Sequence, residues 1–262
     1  MENKQKNIKI AFSDESGVWA DGPYYVRSWI LWNFEDYIIL EKKFLKTLDR
    51  RKHLLHWKDK KLRTDLSEKE QNEIFKSIDN LYVTFTITNG FKDKKLKVRD
   101  DVQNLLNNHP SLKGKNYERY LIDNVGKAVN KTFFLYIYES VHFRSFLSKL
   151  DSSSLYFLIL DTPSQLDPEQ HKKIWENSYS EEDNMKLIIS YENDEYSLGL
   201  QVAHCFASAT NDFLSNKGGD DFLEKWKEKF FDKRSISKIM WEGDQDYQLE
   251  AIKKINKFFT ES

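Results

Sequence analysis

Two short apolar runs end on aspartates, and they constrain this chain more than anything else in it. Ile8-Lys9-Ile10-Ala11-Phe12-Ser13-Asp14-Glu15-Ser16-Gly17 lies near the start and Leu155-Tyr156-Phe157-Leu158-Ile159-Leu160-Asp161 past the middle. Each reads as a buried strand that stops where its sheet edge meets solvent. Two carboxylates delivered by neighbouring strands repel each other unless a cation sits between them. That arrangement is a framework for divalent-metal phosphodiester chemistry. Taken singly, each aspartate is equally well explained as a turn former capping the loop that follows.

The remaining elements place these runs in a sheet. Residues 24–32 and 81–88 are β-branched and aromatic enough for two further strands, the first a hairpin partner of the opening strand. Residues 155–160 lack polar alternation, as a strand covered on both faces should, and 185–190 gives a fifth strand. Helical spacing marks 35–49, a capping box at Ser67 and Glu70 opens a helix to about 79, Pro168 opens one to about 177, and another covers 197–215, ended by Gly218-Gly219. Residues 50–63 read as basic and irregular, 91–115 as a loop or short helix, and 117–150 as one long or broken helix, although 132–138 would also serve as a strand. The expected fold class is mixed α/β: a ribonuclease H-like five-stranded mixed sheet flanked by helices, with a helical insertion and a helical C-terminal region. A single domain spans 1–262, with its core at about 7–90 and 151–215, an insertion at 91–150 and a helical extension at 219–262.

Composition excludes several classes. Lys+Arg 41 against Asp+Glu 42 gives a net charge of -1, so only local clustering speaks about nucleic acid. One cysteine, Cys205, rules out an internal disulfide framework and fits a reducing cytoplasm. No apolar run approaches a membrane span, and the expectation is a soluble, cytoplasmic chain with no membrane partner. There is no phosphate loop, no Cys-x-x-Cys and no nucleophile elbow.

Two segments add chemistry. On the helix 197–215, Ser197, Gln201, His204, Ser208, Asn211 and Asp212 share a sector of roughly 100° beside an apolar stripe. His204 is suited to a third metal position or to general-base work, or is a structural histidine. Segment 50–63 holds seven Lys/Arg against one acid, with Trp57 in its middle. Its Arg50, Arg51, Lys52, Lys60 and Lys61 would hold phosphates, with His56 beside them and Trp57 offering a face to a base; the alternative is a solvated basic loop.

In that order, Asp14-Glu15-Ser16-Gly17, His56-Trp57-Lys58, the strand-end Asp161 and Ser197-x-Gly199-Leu200-Gln201-x-Ala203 resemble a widespread microbial family. It is the one catalogued as domain of unknown function 3800 (DUF3800), regarded as ribonuclease H-like and nucleolytic. The resemblance spans roughly residues 7–215. It implies a nuclease that uses Mg²⁺ or Mn²⁺ on DNA or RNA, with Asp14 and Asp161 matching the family's strand-end acids. In that reading Asp14, Asp161 and His204 hold the metal, Lys58 steadies the phosphorane, Gln201 positions the site and Glu15 contributes if its side chain can reach. The chain departs from the family at His204, where aspartate is common, and at Leu54, where a glutamate is often seen. The competing expectation is a catalytically inactive, nuclease-derived module that binds nucleic acid or protein, in a phage-defence or mobile-element setting, with a homodimer among its assemblies.

Overall fold

The computed structural model describes residues 7–17, 23–48, 54–87, 131–151, 154–161, 168–177, 186–230, 235–238 and 245–260. Its elements in chain order are β1 (Ile8–Ser16), β2 (Tyr24–Asn33), α1 (Phe34–Leu48), β3 (His56–Lys58), β4 (Lys61–Arg63), α2 (Glu68–Lys76) and β5 (Asn80–Ile87). Then come α3 (Lys131–Asp151), β6 (Leu155–Asp161), α4 (Pro168–Asn177), β7 (Lys186–Glu192), α5 (Leu198–Leu214), α6 (Asp220–Lys225), β8 (Ile236–Lys238) and α7 (Gln245–Thr260).

The main sheet has six strands in the order β7-β6-β1-β2-β5-β8. β1 runs antiparallel to β2, and β2 antiparallel to β5. β6 lies parallel to β1 on its other side, and β7 parallel to β6. Three antiparallel strands, β1-β2-β5, with α1, the β3–β4 pair and α2 inserted between the last two, followed by strand–helix–strand–helix, match the expected ribonuclease H-like mixed sheet. The five expected strands are all present, and β8 adds a short sixth at the edge, pairing parallel with β5 through Val83, Thr84 and Phe85. That strand comes from the extension expected to be helical, and three residues are too few to show a periodicity.

Alternation along the strands sends side chains to two cores. Ile10, Phe12, Val26, Ile30, Val83, Phe85 and Ile159 face one layer, where Tyr37, Leu40 and Phe44 of α1 and the apolar stripe of α5 cover them. Ala11, Trp29, Leu31, Tyr82, Leu158 and Leu160 face the other, under Phe143, Phe146 and Leu147 of α3 and Trp175 of α4. Trp29 stacks on Phe143 at 4.2 Å between ring centroids. At the start of α5 the backbone approaches β1 so closely that a Cβ on Gly199 would lie 2.3 Å from the Phe12 ring. The rest of the sequence at that point follows suit: Ser197 caps the helix by accepting from the Leu200 amide.

Other expectations resolve locally. Residues 132–138, with helix and strand patterns both open, are helix, and α3 is packed on the sheet rather than held apart from it. The basic segment is not irregular where described: β3 and β4 form a two-stranded ribbon joined by Asp59-Lys60, both with positive φ (52° and 65°). Helix α5 ends at Leu214, capped by Ser215, before the glycine pair is reached. Residues 91–115 and most of the expected helix from 117 lie outside the described residues. No described helix is long and apolar enough to cross a membrane.

Candidate functional site

The parallel register between β1 and β6 ends on Ser13 opposite Leu160, so the next pair along the two strands is Asp14 and Asp161. In-register neighbours point to the same face, and here it is the face of Phe12 and Ile159, against which α5 packs. The register thus sets the two carboxylates side by side on one face of the sheet.

Helix α5 is seated over this point by a direct tie. Ser28, the β2 partner of Asp14, donates its hydroxyl to the Ala203 carbonyl at 2.6 Å. The next residue, His204, then brings Nδ1 to 3.2 Å from Asp14 Oδ2. Asp14 is 5% exposed, and its other oxygen accepts the Glu15 amide at 2.6 Å. Burial works against protonation of His204. The hydrogen bond and charge of Asp14 outweigh it, helped by Asp194 and Asp161, and raise the imidazole above its ordinary value. Its other nitrogen, Nε2, has the Ser208 hydroxyl at 3.4 Å. The His56 ring lies against that of His204, with centroids 5.1 Å apart and planes 5° from parallel.

Gln201 is buried and spans two loops. Its Oε1 accepts the Leu54 and Leu55 amides at 2.9 and 3.1 Å, and its Nε2 donates to the Asp194 and Glu195 carbonyls at 3.0 and 3.4 Å. It therefore fixes the root of the β3–β4 ribbon to α5. Trp57 makes the second tie, donating its indole N–H to Asp212 at 2.7 Å. This corrects the expectation that Trp57 presents a stacking face to a base: it is 7% exposed and packed against Phe222. Lys58, Lys60 and Lys61 are exposed on the ribbon, whereas Arg50, Arg51 and Lys52 lie outside the described residues.

Glu15 does not join Asp14. The strand continues through it, so its side chain emerges on the α3 face, where it pairs with Arg27. Arg27, 1% exposed, also holds Glu139 of α3 at 2.9 Å. Burial pushes Glu15 above the ordinary carboxylate range against the pull of Arg27, with Asp14 adding to the rise. Burial likewise pushes Glu139 up to about 8, against Arg27 and with Glu15 adding to it. Sequence reasoning missed this triad, although a lone arginine inside Tyr24-Tyr25-Val26-Arg27-Ser28-Trp29-Ile30 was its signal. A charge in a buried strand needs a partner.

A bound Mg²⁺ or Mn²⁺ does not fit the described residues as they stand. Among the described residues no group of three His, Cys, Asp or Glu is placed to hold an ion. Both Asp14 oxygens already meet N–H donors, from the Glu15 amide and from His204. What converges is a carboxylate–imidazole pair with a second carboxylate beside it.

No family model matches the chain, and no curated protein matches it. Among solved structures it is similar to ribonuclease H2 from Pyrococcus horikoshii OT3, at 14% identity and a TM-score of 0.37, covering 96% of this chain and 99% of that one.

Proposed function

We propose that this chain is a nuclease, hydrolysing phosphodiester bonds of DNA or RNA on its ribonuclease H-like scaffold. The single observation that carries the proposal is the convergence of His204 on Asp14, with Asp161 next in register, under a basic ribbon. Asp14 accepts from Nδ1–H, which leaves Nε2 as the basic nitrogen and stabilises the imidazolium once it forms. Nε2 takes a proton from water, and the resulting oxygen attacks phosphorus. The bond to the leaving oxygen breaks, and that oxygen takes a proton from the imidazolium. Lys58 would balance the phosphorane charge, and the exposed Lys60 and Lys61 of the ribbon would hold substrate phosphates. Membership of the DUF3800 family, and one domain over 1–262, belong to the same proposal.

The test is cleavage of labelled single- and double-stranded DNA and RNA, with Mg²⁺, with Mn²⁺ and with chelator. Expected is cleavage that survives chelation and falls ~10²-fold or more in Asp14→Asn and His204→Ala, the range for a lost general base. Cleavage indifferent to both substitutions sinks the reading. A strict requirement for Mg²⁺ or Mn²⁺ sinks the acid–base route and returns Asp14, Asp161 and His204 to the metal-ligand roles that the family resemblance implies, with the His204 proton displaced.

The lack of a three-donor group among the described residues favours one second reading: a catalytically silent module that binds nucleic acid through the ribbon. No cleavage under any condition, with salt-dependent binding that Lys60→Glu weakens, would establish it.

A further inference from the structure

By sequence His56 belongs to a basic, phosphate-holding segment, yet its ring is placed elsewhere. It lies flat against His204, with centroids 5.1 Å apart and planes 5° from parallel. Two polar contacts are made by the His204 ring, one at each nitrogen. One hydrogen bond, 3.2 Å to Asp14, holds Nδ1, and the Ser208 contact at Nε2 is long at 3.4 Å. The second side-chain torsion of histidine is broad and roughly two-fold, so one short and one long hydrogen bond fix the ring plane only loosely. A flat partner narrows that freedom, because turning the ring out of its plane would drive an edge into the face of His56.

His56 is a firm plate for this purpose. The residues before it, Leu54 and Leu55, are anchored through their amides to Gln201, and the residue after it, Trp57, is anchored to Asp212. All three anchors sit on α5, the helix that carries His204. Ribbon and imidazole are therefore referenced to one rigid element, the condition for holding a reacting group within a narrow geometry.

We infer that His56 is a positioning residue of the site, acting through His204: its stacked ring keeps the His204 imidazole in the plane that bonds Asp14. The inference rests on the proposed role of His204 but concerns a geometry that exists without turnover. An aromatic contact of this kind corresponds to roughly 2- to 10-fold in an equilibrium or rate. Any flat apolar ring should serve, and a non-planar side chain of similar bulk should not.

The experiment is histidine-labelled NMR of the full chain, with His204→Gln used to assign the His204 ring signals. In the wild-type protein the His204 Nδ1–H is expected to be protected from solvent exchange. In His56→Ala its exchange should quicken roughly 2- to 10-fold, and in His56→Phe it should return close to the wild-type rate. If His56→Ala does not fold, His56→Leu takes its place with the same expectation. Where the chain cleaves a substrate, His56→Ala lowers kcat by the same factor with KM unchanged, and His56→Phe restores it. Unchanged exchange in His56→Ala, failure of phenylalanine to restore it, or no protected Nδ1–H in the wild type each overturns the inference. Absence of cleavage alone bears on the nuclease reading, while the exchange measurement still decides the role of His56.

Discussion

Replacing Gln201 with leucine isolates what holds the basic ribbon to the sheet. The side chain is 1% exposed and uses both its oxygen and its nitrogen. Leucine removes the acceptor for the Leu54 and Leu55 amides and the donor to the Asp194 and Glu195 carbonyls. A buried donor left without a partner costs ~1–3 kcal/mol. The two amides suffer most, and the two carbonyls, in a partly exposed turn, regain water. The expected loss is therefore about 2–4 kcal/mol, which for a chain of this size lowers Tm by roughly 5–15 °C. Gln201→Glu keeps the acceptor and should recover part of it. Denaturant midpoints and thermal melts of the three proteins provide the assay. Wild-type stability in Gln201→Leu would refute the reasoning, because it would mean that the ribbon root is held by something other than this amide.

Three further outcomes follow from the same geometry. Glu139 has an ordinary carboxylate pKa when unfolded and about 8 when folded, so the folded state binds the extra proton between those values. Its stabilising contribution is full at the acid end and is lost as pH rises through about 8; Glu139→Gln should flatten that fall in Tm between pH 5.5 and 9, and an unchanged slope would count against it. Trp57→Phe, which strands the Asp212 carboxylate, should cost about 1–2 kcal/mol in urea unfolding while leaving nucleic-acid affinity unchanged; a selective loss of affinity would restore a stacking role. Gly199→Ala should cost about 1–3 kcal/mol by forcing Phe12 and α5 apart, and a neutral result would show that the helix can shift freely.

How much of this was legible follows from the range over which each signal acts. Asp161 was readable as a strand end because the apolar run stops there, whereas β1 runs two residues past Asp14 to Ser16, where β2 still pairs with it. Placing His204 among the candidates needed only the helical period of α5. The docking of His56 on His204 was not readable, because it depends on how a three-residue strand lies across a helix more than a hundred residues away. Trp57 misled for the same reason: an aromatic among cations looks the same whether its ring is offered to a base or turned into the core. Glu15 was drawn into the candidate site by its proximity to Asp14, whereas simple alternation, carried one residue further, puts it beside Arg27. That no third donor joins Asp14 and His204 among the described residues is a statement about distances that no spacing in the chain encodes.

The ribbon's tip holds one more consequence. A two-residue connection with both residues left-handed is the setting in which asparagine followed by glycine is most comfortable, yet the chain places aspartate and lysine there. Lys60 forgoes about 1 kcal/mol relative to glycine, whereas aspartate tolerates the left-handed region. An Asn-Gly exchange at 59–60 should therefore raise the melting point of the protein while stripping its outermost positive charge.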